Sequence, residues 1–177
     1  TTLANDISIS AGAASGNDGV DVTFRDTVMG GGNDLAVTTG FLGTASFERA
    51  VTGVRTIGVS AEVINVGDVF TTGAQNYTAI VGVNLGGDLQ RSDSGGITIN
   101  GDVTLVADSS MSTAGGSTDD DIAINGTLDG AFDMLLNSSG GDLTVTGNVG
   151  SAIRVDNLTI SSAAASSFQG VRVGNMQ

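Results

Sequence analysis

The densest group of residues able to move a proton is Thr118-Asp119-Asp120-Asp121. Glycoside cleavage uses paired carboxylates, one as acid and the other as base or nucleophile. On a strand, Asp119 and Asp121 would share one face and Asp120 would take the other. No Arg, Lys or His stands beside the cluster, and it leads directly into the alternating run Ile122-Ala123-Ile124. A polar turn before a strand accounts for it, so no catalytic residue is assigned and the chain is not expected to be an enzyme. With no His, Lys or Cys, the usual catalytic triads and the imidazole or thiolate metal sites are excluded. Gly30-Gly31-Gly32 lacks the strand-to-helix setting of a dinucleotide site and reads as a loose turn.

Oxygen ligands for a hard cation are abundant, at Asn17-Asp18, Asn33-Asp34, Asp88, Asp102 and Asp119 to Asp121. None of these stretches matches an EF-hand loop or the Gly-Gly-x-Gly-x-Asp nonapeptide. Asp beside Gly or Asn is also plain turn chemistry. Structural calcium is therefore the milder alternative, and no cofactor or metal ligand is assigned. Sequons at Asn76, Asn125, Asn137 and Asn157 arise readily in a chain rich in Asn, Ser and Thr. A flat face of ranked Thr would suggest ice binding, but Thr98, Thr144 and Thr159 are not expected to keep register with Ala123. Phe24 and Phe47 fall on inward positions, whereas Phe41 and Phe132 lie in turn regions. The aromatics thus read mainly as core.

The elements that must position these residues follow from composition. The 177 residues carry a net charge of −13, include 28 Gly, and contain no Pro, Trp or Cys. Such acidity opposes binding to nucleic acid or to anionic membranes. No run of about eighteen apolar residues exists to insert as a helix. Zero Cys removes a disulfide scaffold. The opening Thr1-Thr2 reads as a mature product or excised fragment.

Alternating apolar and polar residues mark short strands, including Ile7-Ser10, Val20-Phe24, Leu35-Thr38, Ile57-Ser60, Val63-Val66, Ile97-Asn100, Ile122-Asn125 and Leu143-Thr146. Ile97 to Val103, Ile122 to Leu128 and Leu143 to Val149 share one template: apolar, Thr or Ala, apolar, Asn or Thr, Gly, polar, apolar. The template describes a corner, with two inward side chains, a bend at positive φ, and re-entry into the core. A longer match aligns about 11–77 with about 111–177, placing Val22-Phe24 on Ile122-Ile124 and Ala45-Phe47 on Leu143-Val145. It also sets Asp26 and Arg49 where the second copy has Gly126 and Gly147, and Arg in a left-handed bend is unfavourable. These patterns predict an all-β chain forming one continuous parallel β-helix (β-solenoid) over 1–177. Tandem antiparallel β-sandwich domains are the alternative, since Asn-Gly also marks hairpins.

Thr71-Thr72-Gly73-Ala74-Gln75-Asn76-Tyr77, Val83 to Leu89 and Ser94 to Leu105 resemble phrases of giant bacterial β-strand-repeat surface exoproteins. The pattern is similar to filamentous-haemagglutinin-like and autotransporter passengers. That resemblance implies a right-handed β-helix, an extracellular or cell-surface location, and roles in adhesion, matrix or filaments. It offers no catalytic residue. The expected function is a structural or adhesive repeat segment, with further copies or flanking repeats end to end as partners, and host or matrix glycans as alternative ones. The rival reading is a carbohydrate-binding or carbohydrate-cleaving β-helix.

Overall fold

The computed structural model describes residues 1–12, 19–91, 93 and 95–177. Among the described residues there is no helix, and hence none long and apolar enough to cross a membrane. The strands stack as a parallel β-solenoid of about seven turns. Every pairing between named strands is parallel, and the isolated Gly12–Gly19 bridge is the one antiparallel contact among the described residues. Tandem antiparallel sandwiches are thereby overturned.

Each turn has three sides. The first carries β1 (Ile7–Ser10), β4 (Leu35–Thr38), the first half of β7 (Ile57–Val66), the first half of β9 (Gln75–Leu85), β11 (Ile97–Asn100), β14 (Ile122–Asn125), β17 (Leu143–Val145) and β19 (Ser166–Phe168). The second carries β2 (Val22–Phe24), β5 (Thr44–Phe47), the remaining halves of β7 and β9, β12 (Val103–Leu105) and β15 (Leu128–Asp129). Because β7 and β9 run unbroken round the intervening corner, these two sides form one twelve-stranded sheet. The third side is an eight-stranded sheet of β3 (Val28–Met29), β6 (Val51–Val54), β8 (Val69–Thr71), β10 (Asp88–Arg91), β13 (Ser109–Thr113), β16 (Met134–Asn137), β18 (Val155–Ser162) and β20 (Val173–Met176).

Parallel register places like above like. Leu35, Ile57, Ile97, Ile122 and Leu143 share one interior column on the first side. Ala45, Ile64, Val83, Val103 and Leu128 share another on the second. Val51, Val69, Leu89, Met111 and Leu136 share a third. Phe24 and Phe47 stack with ring centroids 4.9 Å apart, as inward positions require. Each fully buried aliphatic contributes about 1.5–3 kcal/mol relative to exposure. No coil can bury its own column without neighbours.

The short echo is the coil itself: Ile97, Ile122 and Leu143 pair in register, and so do Val103, Leu128 and Val149. The hundred-residue match behaves differently. It lays β2 of the second side on β14 of the first, β3 of the third on β15 of the second, and β4 of the first on β16 of the third. Each of these strands is displaced by one side. All three sides obey the same inward–outward alternation, so residue patterns alone align them interchangeably. Asp26 and Arg49 therefore occupy a different corner from Gly126 and Gly147, and neither has a positive φ. Ala14 and Gly16, also part of that match, lie outside the described residues.

Gly101 has φ 141°, but Gly126 and Gly147, stacked beyond it, do not have positive φ. A methyl group at Gly147 would lie 2.6 Å from the Gly126 carbonyl, and one at Gly126 would strike the Gly101 carbonyl. Close approach of successive turns, more than a left-handed bend, excludes a side chain here. Gly126→Ala should accordingly destabilise the chain by about 1–3 kcal/mol in urea unfolding. Gly58→Ala, at an outward strand position with nothing within 4 Å, should be neutral or stabilising by up to about 1 kcal/mol.

Candidate functional site

The acidic residues have a common use that sequence reading assigned to plain turns. An Asp placed just before a strand accepts the backbone N–H of the equivalent position one turn on. Asp6 Oδ1 receives Asp34 N (2.9 Å), Asp21 receives Thr44 N (2.8 Å), Asp68 receives Asp88 N (3.0 Å), and Asp102 receives Thr127 N (2.8 Å). Asp108 receives Asp133 N (3.0 Å) and Asp121 receives Asp142 N (2.7 Å). Corner residues leave the strand ladder, so their N–H groups need another acceptor. An ionised acceptor makes the stronger bond.

This stapling absorbs most of the oxygen sites considered for calcium. Asn33 Nδ2 donates to Leu3 O (3.0 Å) and Gly30 O (3.1 Å), and Asp88 Oδ1 accepts from Ser110 Oγ (2.7 Å). Among the described residues no three acidic side chains converge on a metal position. Asn17-Asp18 lies outside the described residues.

Asp34 shows the electrostatics of a staple. Partial burial works to raise its pKa, but hydrogen bonds from Thr56 and the Arg55 guanidinium, with the Arg55 charge, hold the carboxyl below its ordinary value. Arg55 Nε donates to Asp34 Oδ1 at 2.9 Å and Thr56 N at 3.1 Å.

Asp119 to Asp121 do not lie on a strand. They belong to a turn before β14, with Asp119 and Asp121 exposed and Asp120 fully buried. The arginine that appeared to be missing arrives from the preceding turn: Arg91 Nη2 donates to Asp120 Oδ1, and both side chains are sealed from solvent. Asp120 Oδ2 also accepts Ser117 N (2.8 Å), and Thr113 Oγ1 donates to Asp120 O (2.8 Å). Arg91 was readable in principle, because Leu89-Gln90-Arg91 alternates and puts Arg91 in phase with buried Leu89.

The pair continues into a buried polar thread. Arg91 stacks between Thr71 and Thr113. Nearby, Gln75 interrupts the first aliphatic column, donating Nε2 to Gln90 O (2.8 Å) and Thr71 Oγ1 (3.2 Å). Tyr77 donates its hydroxyl to Gln75 Oε1 (3.0 Å), and burial pushes the Tyr77 pKa far above its ordinary value. Among the described residues, Nε and Nη1 of Arg91 are buried without a hydrogen-bond partner. A carboxylate closed off in this way cannot exchange protons with a substrate. What the arrangement does is hold the loop 114–121 against the coil before it.

Outside the core, Asn125 Nδ2 donates to Asn100 Oδ1 (2.8 Å) and Asn157 Nδ2 to Asp133 Oδ1 (2.6 Å). Two of the four sequon amides are thus occupied between turns. Thr98 and Thr144 do share a rank with Ala123, contrary to expectation, while Thr159 sits on the third side. Phe41 is exposed and Phe132 packs on the core. Comparison with family models, curated proteins and solved structures finds no match to this chain.

Two outcomes are expected. Asp120→Ala strands the Arg91 charge and should lower unfolding free energy by about 3–5 kcal/mol, whereas Arg91→Leu with Asp120→Leu should restore most of it. Asp34→Asn should cost under about 1 kcal/mol, since the pair is partly exposed. Because the folded pKa of Asp34 is lowered, its contribution is complete above the unfolded value of about 4 and is lost as pH falls through the folded one. Melting temperatures of the parent and Asp34→Asn chains should therefore converge as pH drops below about 4.

Proposed function

We propose that the chain is a structural or adhesive segment of a secreted bacterial surface protein or extracellular filament, continued end to end by further copies or flanking repeats. The observation that carries this reading is the state of the two ends. Among the described residues, β1 and β2 at one end, and β19 and β20 at the other, are each paired along one edge alone. Ile7, Val22 and Phe24 at the first end, and Phe168, Val171 and Val173 at the second, are incompletely covered. A parallel ladder presents the same alternation of N–H and C=O groups on both edges, so a coil of like pattern can dock on either.

Three further features support a mechanical role. Successive turns are tied by backbone N–H groups that donate to the corner acids, the interior is filled by stacked aliphatic columns, and the deepest acid–base pair is committed to packing. The net charge of −13 disfavours a nucleic-acid partner. Extracellular location follows from the same reading and is tested by antibody labelling of intact cells of the source organism.

The end-to-end contact has a specific test. Ile7 N donates inward to Asp34 O (2.9 Å), so by strand alternation the Ser8 N–H points to the open edge. Ser8→Pro removes that donor without removing an internal bond. X-ray scattering at high concentration should show rods that lengthen at constant cross-section, and Ser8→Pro should suppress the lengthening with little change in melting temperature. Lengthening unaffected by Ser8→Pro, or its absence at every concentration, would count against the proposal.

A further inference from the structure

The charged side chains are not spread evenly round the solenoid. They collect at the corners, and the outward positions of the first side hold no Asp, Glu or Arg from β1 to β19. Its outward ranks are small and uncharged: Ala36, Gly58, Asn76, Thr98, Ala123 and Thr144 lie in one line, with Thr38, Ser60 and Thr78 in the next. By contrast the third side carries Asp88 and Asp156. In a chain of net charge −13, this is the face on which close approach costs no carboxylate desolvation.

An apolar ridge borders the same face. Phe41 is 68 % exposed, Leu42 50 %, Ile80 56 % and Val81 60 %. Phe41 and Ile80 flank a depression of about 270 Å³ floored by Thr38, Ser60 and Ala61. Knob and hollow thus lie side by side on one surface, which is the requirement for a twofold contact made by identical patches.

We propose that this face pairs laterally with the same face of a second copy, Phe41 of each seating in the hollow beside Ile80 of the other. The inference rests on the reading of the chain as a structural segment and adds its sideways partner. A twofold axis beside the hollow sets the first five turns of one copy against those of the other, so about five strands at ~4.8 Å spacing and about four residues of width give about 300 Å² per copy. That is well below the ~800 Å² per partner of a stable complex, so one segment pairs weakly. Copies arrayed along a longer rod would pair more firmly through avidity. Salt should strengthen the contact, because screening reduces repulsion between the acidic corners while the face itself is uncharged.

Sedimentation velocity across concentration, at low and moderate salt, tests this on the intact chain. A reversible dimer favoured by salt is expected, with X-ray scattering showing a doubled cross-section at unchanged length. Gly58→Glu with Asn76→Glu should abolish it, and Phe41→Ser should weaken it about tenfold. Gln90→Glu on the third side should leave it intact, and unchanged melting temperatures confirm that each variant folds. Dimers that survive the double Glu substitution, or that are lost equally with Gln90→Glu, would overturn the proposal. So would a chain that remains monomeric but is retained on insoluble polysaccharide through this face. Lengthening that Ser8→Pro blocks, without lateral pairing, would sink this inference and leave the structural reading standing.

Discussion

One constraint organises the molecule: each turn must lie against the next at strand spacing, with every residue above its counterpart. Backbone bonds between turns demand it, and side chains must tolerate it. Aliphatic residues do so inside, because stacked methyl groups only improve packing. Glycine does so at the corner of Gly101, Gly126 and Gly147, where carbonyls of adjacent turns leave no room for a Cβ. Asp does so at other corners by offering its carboxylate to the next turn's N–H, which turns a potential column of like charges into a column of staples.

The same constraint explains where charge is allowed. Like charges directly opposite on neighbouring strands repel, so a rank of acids on a flat side would strain every rung. At corners the side chains splay into water and the backbone donors they bind offset the repulsion. The outward positions of the first side are left mostly to Ser, Thr, Asn, Ala and Gly. A neutral flank on a highly acidic rod is therefore a by-product of the stacking, and it is also what makes that flank available for contact.

The buried thread of Gln75, Tyr77, Arg91 and Asp120 departs from this economy. Apolar residues of similar volume would fill the space at less cost, because taking both charges out of water is expensive. Its geometry offers a reason: Arg91 belongs to one turn and Asp120 to the loop 114–121 of the next. A single strong contact there ties an extended loop to one neighbour only, and so selects one register among turns whose aliphatic columns are nearly interchangeable.

Period-two alternation in Ile57-Val59, Ile97-Ile99, Ile122-Ile124 and Leu143-Val145 was enough to predict an all-β chain, and the 21- to 25-residue echo favoured stacked coils, but only the parallel pairing of the strands ruled out antiparallel sandwiches. Much of the third side stayed hidden. β8, β10 and β13 point Thr71, Arg91, Ser109 and Thr113 inward beside their aliphatics, so their alternation does not show as apolar against polar. Which side a strand occupies was equally out of reach: β2 and β14 read alike yet lie on different sides, since all sides share one alternation. The Arg91–Asp120 pair joins residues 29 positions apart, and nothing in either local stretch names the other. Residue pattern determined that the chain is built of short strands around a repeated corner. Only the register between turns decided which acids bind backbone, which pair is buried, and which flank is left without charge, because those outcomes depend on what lies one rung away in space.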